Sequence, residues 1–347
     1  MTTFRGLILG WYHQRNAGDD RLAHCIERWL HDHQLAFWSH TKIPPPELLL
    51  RCDYVILGGG SLANAHNGAF FGMKKWIEAA KIPVFGVGLS VSNIPALREE
   101  FKAIPASGGL IWVRDQKSAD FLGLPPQQCT VAPDLSWLFP LTGEHFDLES
   151  TARSGVAVNF RPWPKRNWDP RNWIAPIAAL KGAVPYPLCF GRDDDRPILH
   201  EVFGARAPEF HALQDHAEFD PTRAARAELV VAMRFHAILF AIQSGTPFLA
   251  LGNSRKVQRM LDGLGLGEYV VPIEEPEKWN EKLALARAMD PEKLLQITAR
   301  QKSLAWQVAD TFKTHLEEQA GEAKTRRERD QKRLGIRAKR RLLRSLN

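Results

Sequence analysis

The sequence has no long apolar run and no segment typical of an export signal. Its apolar runs fall well short of the roughly 20 residues that cross a bilayer. The first 16 residues, MTTFRGLILGWYHQRN, contain no apolar core that ends in a small-residue cleavage site. We therefore expect a protein that stays in the cytoplasm.

Cysteine is scarce, and the spacing typical of metal ligands is missing. The four cysteines, Cys25, Cys52, Cys129 and Cys189, form neither a CxxC pair nor a group with a histidine pair. We expect inert thiols in a reducing compartment. The acidic run 193–195 has no second ligand group at a fixed spacing, so a solvated helix N-terminus is the favoured interpretation. The sequence predicts no metal and no other cofactor.

The net charge of +7 is concentrated at the C-terminal end. Residues 322–347 contain 11 Lys or Arg and three acidic residues, whereas the other 321 residues contain 35 basic and 36 acidic ones. Because no aromatic residues are interleaved with the basic ones, we expect no nucleic-acid partner. Residues 324–344 are compatible with a basic amphipathic helix that docks on the anionic inner face of a membrane. A solvated, partly disordered tail is the alternative.

Short apolar runs alternate with amphipathic stretches along most of the chain. The first pair is a strand at Arg5 to Gly10 and a helix at Asp20 to Asp32. Further along, the pattern predicts a helix at 116–122, a linker at 141–144, a strand at 184–190, and one or two long helices over 291–318. Apolar runs without internal alternation suit parallel strands that are covered on both faces. The chain has 347 residues, which is more than usually fold around a single hydrophobic core. We predict two doubly wound, Rossmann-like α/β domains that face a cleft, followed by a basic helical tail. The predicted bounds are 1–143, 144–321 and 322–347.

The loop after the first strand is the first candidate for a functional site. It contains Asn16, Gly18, Asp19 and Asp20. Gly18 can adopt a positive φ. Asp19 or Asp20 could simply cap the next helix, which is the structural alternative. The position at the carboxyl end of a strand favours a functional surface.

The second candidate is a run of glycines after the predicted strand at 54–57. Gly58, Gly59, Gly60 and Ser61 follow that strand directly. Three glycines let backbone N–H groups approach an anion or a sugar. The run matches neither a GxGxxG motif nor a Walker loop. A tight turn against another element remains the alternative.

Three cations follow other predicted strands. The guanidinium of Arg114 suits a carboxylate or a phosphate, whereas Asp115 is predicted to cap a helix. Arg234 and His236 lie where a strand turns into a helix, and a histidine can give and take a proton near neutrality. Lys256 is a further candidate for the same anion, with a solvated surface lysine as the alternative.

These segments, in their order along the chain, resemble the polysaccharide pyruvyl transferase family. The resemblance spans roughly residues 5–265 and rests on seven motifs, none of them diagnostic alone. They are Asn16-x-Gly18-Asp19-Asp20, Asp53-x-x-Ile56-Leu57-Gly58-Gly59-Gly60, Gly86-Val87-Gly88, Val113-Arg114-Asp115-x-x-Ser118, Ala132-Pro133-Asp134, Met233-Arg234-Phe235-His236-Ala237, and Gly245-x-Pro247 with Lys256.

The resemblance implies a fold like that of GT-B glycosyltransferases, phosphoenolpyruvate as the donor, and a pyruvate ketal on a hexose as the product. It implies that Arg234 and His236 bind the donor, together with Arg114. The family commonly has Leu where this chain has Phe235. We interpret His236 as the acid that protonates the methylene carbon of the donor. An acid such as Asp19 or Asp134 would accept a hydroxyl proton. The remaining predicted substrate contacts are Asn16, Gly59, Gly60, Ser61 and Lys256.

We expect the acceptor to be a saccharide, either free or linked to a lipid. The sequence does not predict the acceptor site. Segments 161–164 and 192–195 match no family pattern. Trp163, Trp168 and Trp173 could form a platform for a sugar, with core packing of at least two of them as the favoured alternative. Two other functions fit the pattern: a GT-B glycosyltransferase that uses a nucleotide sugar, and a non-catalytic anion-binding assembly protein.

Overall fold

The chain forms two compact α/β units. The first unit combines residues 1–11, 23–135 and 305–347, and the second combines residues 12–22 and 136–304. A computed structural model describes residues 3–63, 69–141, 152–163, 169–204, 222–252 and 255–345, without the side chains of 61–63 and 331–345. All but the first residue of the linker predicted at 141–144 lie outside these residues.

The sheet of the first unit is parallel throughout. Its strands are β1 (Arg5–Gly10), β2 (Gln34–Ser39), β3 (Tyr54–Leu57), β4 (Gly60–Ala63), β5 (Val84–Val91), β6 (Ile111–Val113) and β7 (Cys129–Val131). They lie in the order β2-β1-β3-β5-β6-β7, and β4 pairs with β5. Strands β3 and β6 are buried along their whole length, as their unbroken apolar runs predict.

The sheet of the second unit is also parallel. Its strands are β8 (Val156–Asn159), β9 (Ala183–Pro185), β10 (Leu229–Ala232), β11 (Phe248–Gly252) and β12 (Val270–Pro272). They lie in the order β12-β11-β10-β8-β9. The predicted pair of doubly wound α/β domains is therefore confirmed.

Helices connect successive strands in both units. They are α1 (Ala17–Trp29), α2 (Pro46–Leu49), α3 (Met73–Ala80), α4 (Pro95–Phe101), α5 (Ala103–Ala106), α6 (Gln116–Leu122), α7 (Ile174–Ala178), α8 (Arg196–Phe203), α9 (Arg223–Arg226), α10 (Phe235–Gln243), α11 (Arg255–Gly263), α12 (Trp279–Arg287) and α13 (Pro291–Ser345). None of the helices formed by the described residues combines the length and apolar character needed to cross a membrane.

Each sheet has one position where the strand order reverses direction. In the first unit it lies between β1 and β3, and in the second unit between β8 and β10. The loops that leave two such strands at their carboxyl ends diverge, which opens a crevice where doubly wound proteins bind ligands. The fold therefore directs attention to the loops after β8 and β10 in the second unit.

The long helix α13 is held in the first unit by an apolar stripe. From residue 305 onward the helix belongs to that unit. Buried residues recur every three or four positions at Ala305, Ala309, Phe312, Leu316, Ala320 and Ala323. Phe312 packs on Trp112, with ring centroids 6.0 Å apart. Beyond the stripe, Arg327 Nη2 donates to Asp53 Oδ1 at 2.8 Å. The predicted helical tail is confirmed as the continuation of α13.

Candidate functional site

A buried ion pair lies at the switch point of the second unit. Arg234 lies two positions after the end of β10 and is only 8% exposed. Its Nε and Nη2 donate to Asp195 Oδ1 at 2.8 and 2.6 Å, and Nη2 also donates to the Asp193 carbonyl oxygen at 2.6 Å. The guanidinium is thus fixed in orientation before any ligand arrives.

Asp195 connects three segments of the chain through hydrogen bonds: the end of β8, the residues after β9, and Arg234. Its Oδ2 accepts hydrogen bonds from the backbone N–H groups of Leu188 and Cys189 at 3.0 and 3.2 Å. Asn159, the last residue of β8, donates to the same oxygen at 3.2 Å and accepts from the Arg234 backbone N–H at 3.0 Å. Burial raises the pKa of Asp195, while the charge of Arg234 and these donors favour the carboxylate.

His236 lies in the first turn of α10 and is packed on the loop that follows β1. It is 9% exposed. A Cβ atom at Gly18 would lie 1.9 Å from His236 Nδ1, so only glycine fits beneath the ring. The rings of Phe235 and Phe240 lie 5.2 and 6.0 Å from that of His236. The imidazole is therefore held between α10 and α1.

Backbone hydrogen bonds join the loop after β1 to the segment that follows β9. Ala17 N donates to the Leu188 carbonyl at 2.9 Å, and Phe190 N donates to the Arg15 carbonyl at 2.8 Å. Arg15 has a positive φ of 59°, an uncommon conformation for a residue with a side chain. These contacts explain why residues 12–22 group with the second unit.

Asn16, Asp19 and Asp20 take different places at the start of α1. Asn16 Oδ1 accepts from Gly18 N at 3.2 Å, so Asn16 makes the bond of a helix cap. Asp20 Oδ1 instead accepts from His13 N at 2.6 Å and holds the loop. Asp19 lies in the first turn of α1 and is partly exposed. The predicted roles of Asn16 and Asp19 toward substrate remain predictions.

Lys256 reaches the same region of the second unit through Phe235. Its ammonium Nζ lies 4.3 Å from the centroid of the Phe235 ring, a cation–π distance. Phe235 is the residue between Arg234 and His236, so this contact brings Lys256 to the same turn. Phe235, which stands where the family commonly has Leu, thus contacts the candidate cation Lys256.

The first unit contains a second buried pair of arginine and aspartate. Arg114 Nη1 donates to Asp134 Oδ2 at 2.6 Å, and the two side chains are 4% and 3% exposed. Arg114 Nε donates to Ser90 Oγ at 2.8 Å. Asp115 caps α6 by accepting from Ser118 N at 3.0 Å, as predicted. Arg114 and Asp134 are therefore brought together, although the sequence assigns them separate roles.

The glycine run after β3 makes a tight connection into β4. Gly60 has a φ of 108° and pairs with Leu89 of β5. A Cβ atom at Gly88 would lie 3.6 Å from the Gly59 Cα, so the two backbones approach closely. This geometry agrees with the tight-turn alternative. Substrate contacts by Gly59, Gly60 and Ser61 remain predictions. The structure does not describe the side chain of Ser61.

Sequence reasoning missed Asp195. The expectation of a solvated helix N-terminus is wrong for this residue, which is fully buried, because Arg234 and two backbone N–H groups enclose its carboxylate. The expectation holds for Asp193 and Asp194, whose side chains are exposed or partly exposed. Of the two alternatives for the tryptophans, core packing is correct for Trp173, which is fully buried. Trp168 lies outside the described residues.

One further group of titratable residues lies in the first unit. Ligand atoms of Asp32, His33 and Glu317 lie within 4.8 Å of one another. Lys313 Nζ lies 2.8 Å from Asp32 Oδ1 and 3.6 Å from Glu317 Oε1. His33 Nδ1 is 2.7 Å from the Tyr54 hydroxyl. The lysine ammonium thus supplies to the two carboxylates the positive charge that a bound metal ion would otherwise supply.

A sequence profile of the polysaccharide pyruvyl transferase family matches residues 16–200 and 222–255, more than half of the chain. The chain belongs to the polysaccharide pyruvyl transferase family. This family assignment confirms the resemblance on which the sequence analysis relied, and it makes the chain a member of a transferase family. Curated proteins include no significant match to the chain.

Solved structures with this fold include two sugar-nucleotide epimerases and a glycosyltransferase. A candidate UDP-N-acetylglucosamine 2-epimerase from Listeria monocytogenes has a TM-score of 0.55 at 10% identity, covering 91% of this chain and 98% of that one. The glycotransferase of kitacinnamycin has a TM-score of 0.51 at 11% identity, covering 91% and 100%. The UDP-GlcNAc 2-epimerase from Neisseria meningitidis, bound to UDP-GlcNAc, has a TM-score of 0.51 at 10% identity, covering 89% and 99%. These likenesses confirm the predicted GT-B-like fold of this pyruvyl transferase family member.

Proposed function

We propose that this protein transfers the pyruvyl group of phosphoenolpyruvate to a hexose of a surface polysaccharide or its lipid-linked precursor. The product is a pyruvate ketal, and phosphate is released. The observation that carries the proposal is His236, a proton donor and acceptor packed on Gly18 in the same turn as Arg234. Membership of the polysaccharide pyruvyl transferase family supports the same reaction.

The donor requires cations because it carries both a carboxylate and a phosphate. Arg234 offers a guanidinium that Asp195 holds in place, and Lys256 lies on the adjacent Phe235 ring. Arg114 is the corresponding cation of the first unit, held by Asp134. Fixed charges that need no reorganisation stabilise a transition state more than mobile ones do. We assign donor binding to Arg234 and Lys256 of the second unit, and a donor contact by Arg114 of the first unit stays a prediction.

The chemistry needs one proton donor and one proton acceptor. His236 protonates the methylene carbon C3, which makes C2 electrophilic, and a sugar hydroxyl then forms a bond to C2. The second hydroxyl bonds to C2 as the bond between C2 and the phosphate oxygen breaks. One hydroxyl proton restores the acid form of His236, and the other leaves through a base. Phosphate departs with the electron pair of the broken bond.

Asp19 is the better candidate for the base. It lies in the first turn of α1, next to the Gly18 that packs beneath His236. Asp134 belongs to the first unit, where its Oδ2 accepts from Arg114 at 2.6 Å. We therefore assign the positioning of Arg114 to Asp134 and the proton acceptance to Asp19.

The basic end of α13 fits an acceptor that is carried on a lipid. Residues 331–347 contain seven Lys or Arg and no acidic residue. Each such cation near an anionic leaflet contributes on the order of 1 kcal/mol to binding. We propose that this segment docks the enzyme at the inner membrane face, where a lipid-linked saccharide would be presented.

The test is release of phosphate from phosphoenolpyruvate over a panel of lipid-linked and nitrophenyl glycosides. We expect release with at least one glycoside, and about a 10²- to 10⁴-fold loss in His236→Gln with donor affinity largely retained. The exposed histidine of α8 gives the control His200→Gln, which should keep wild-type rates. Stabilisation by a sugar nucleotide but not by phosphoenolpyruvate would favour the nucleotide-sugar glycosyltransferase and refute this proposal.

A further inference from the structure

A second arginine, Arg161, lies at the switch point of the second unit, and one of its buried N–H groups has no hydrogen-bond acceptor among the described residues. Arg161 follows Asn159, the last residue of β8, by two positions. Its side chain is 29% exposed. The Nε atom is buried, and no described residue accepts a hydrogen bond from it. Because a guanidinium has five N–H donors in a rigid fork, such an arrangement leaves donor capacity for another acceptor.

The charge around Arg161 is incompletely neutralised. Burial and the neighbouring charge of Arg234 both lower the pKa of Arg161. The buried carboxylate of Asp195 is already paired with Arg234. Asp193 is the carboxylate paired with Arg161, at 3.5 Å from Oδ2 to Nη2, and its side chain is 58% exposed. An exposed pair of this kind is weak, so Asp193 can be displaced by a stronger anion.

The fold and a neighbouring ring support a binding role for this side chain. Strands β8 and β10 flank the point where the strand order reverses, and Arg161 and Arg234 leave those two strands. Ligands of doubly wound sheets bind at that position. The Trp163 ring lies 5.5 Å from Arg161 Cζ, a cation–π distance that restrains the guanidinium.

We propose that Arg161 binds the phosphate group of the donor, and that this phosphate replaces Asp193 as its partner. The identity of the phosphate as that of phosphoenolpyruvate rests on the proposed function. The phosphate oxygens supply the acceptors that the guanidinium lacks, and their charge balances Arg161 beside Arg234. Asp193 acts as a counter-ion that leaves when the substrate enters.

Calorimetric titration with inorganic phosphate and, separately, with phosphoenolpyruvate tests this assignment at low ionic strength. Arg161→Gln should weaken both affinities about ten- to a hundredfold. Arg161→Lys, which keeps the charge and loses the fork, should lie between that variant and wild type. Asp193→Asn removes the competing carboxylate and should tighten both affinities severalfold. Arg171→Gln is the matched control, because Arg171 is 74% exposed and pairs with Asp169.

Wild-type affinity in a folded Arg161→Gln variant would overturn the assignment, and so would a wild-type protein that binds neither anion. Weaker binding in Asp193→Asn than in wild type would overturn the exchange of partners. The two proposals fail separately. Phosphate binding that depends on Arg161, without phosphate release from phosphoenolpyruvate on any glycoside, contradicts the proposed function and supports the anion site.

Discussion

Replacing Asp195 with asparagine should destabilise the second unit by about 3–5 kcal/mol, because it leaves the buried guanidinium of Arg234 without its counter-charge. Asp195 is fully buried, and its two oxygens accept from Arg234, Asn159 and the backbone N–H groups of Leu188 and Cys189. An asparagine has one acceptor oxygen, and its amide is a donor.

Either orientation of that amide removes an acceptor from at least two donors. If the amide nitrogen takes the place of Oδ1, it faces Arg234 Nε and Nη2, which are 2.8 and 2.6 Å from that oxygen in the wild type. If it takes the place of Oδ2, it faces the N–H groups of Leu188 and Cys189. Each charge-assisted bond lost costs about 1.5–3 kcal/mol, in agreement with the total above.

Scanning calorimetry is the assay, and the neighbouring residue provides the control. For a unit of this size the loss corresponds to a fall of roughly 6–20 °C in Tm. Asp194→Asn should change stability by less than about 1 kcal/mol, because Asp194 pairs with Arg196 at the surface. The double variant Asp195→Asn, Arg234→Met should recover part of the loss, since it removes the buried charge and the asparagine oxygen can still accept from Leu188 and Cys189. Equal effects of Asp195→Asn and Asp194→Asn would refute the reasoning.

Three other perturbations follow from the same contacts. Gly18→Ala places a methyl group against the imidazole that packs on it, so turnover should fall about hundredfold in a steady-state assay. Burial lowers the pKa of His33 below its ordinary value, so its contribution to stability is fully present above about pH 6.5 and declines as the pH falls below that value. His33→Asn should flatten that decline in urea unfolding. Deletion of residues 331–347 should abolish flotation with anionic vesicles and spare the folded body.

Each of these predictions has an opposing result, and the two substitutions also have a control. Gly263→Ala adds a methyl group into open space and should leave turnover unchanged, whereas wild-type turnover in Gly18→Ala would contradict the packing argument. His31→Asn alters an exposed histidine two positions away, and an unchanged pH slope in His33→Asn would refute the burial argument. Equal flotation of the full-length and shortened proteins would remove the membrane role.

Much of the fold could be predicted because its signals are local. The helix predicted at 116–122 has those bounds in the structure. Strands covered on both faces need only a short apolar run, which any window of the sequence displays. The one or two long helices predicted over 291–318 are a single helix that extends to 345, and its apolar stripe continues to Ala323.

The arrangement around Asp195 could not be predicted because it depends on long-range contacts. The sequence predicts a strand over 184–190, but β9, at the edge of its sheet, ends at Pro185, and Pro187 just beyond it has no N–H group to donate to the neighbouring strand. The residues beyond it pair instead with the loop after β1, more than 170 positions earlier. Asn159 and Arg234 also enclose the carboxylate from 36 and 39 positions away, so a run of three aspartates could not show which member is buried.

Both units contain a buried arginine that follows a strand and is held by a buried aspartate, and stability alone does not account for this arrangement. Arg114 follows β6 and is held by Asp134, whereas Arg234 follows β10 and is held by Asp195. A buried ion pair often contributes no more stability than apolar side chains of the same volume. What the carboxylate provides is a guanidinium whose plane is set in advance, so that binding an anion costs less side-chain entropy. No described residue accepts a hydrogen bond from the buried Nε of Arg161, and this difference is why we assign an acceptor there to the ligand.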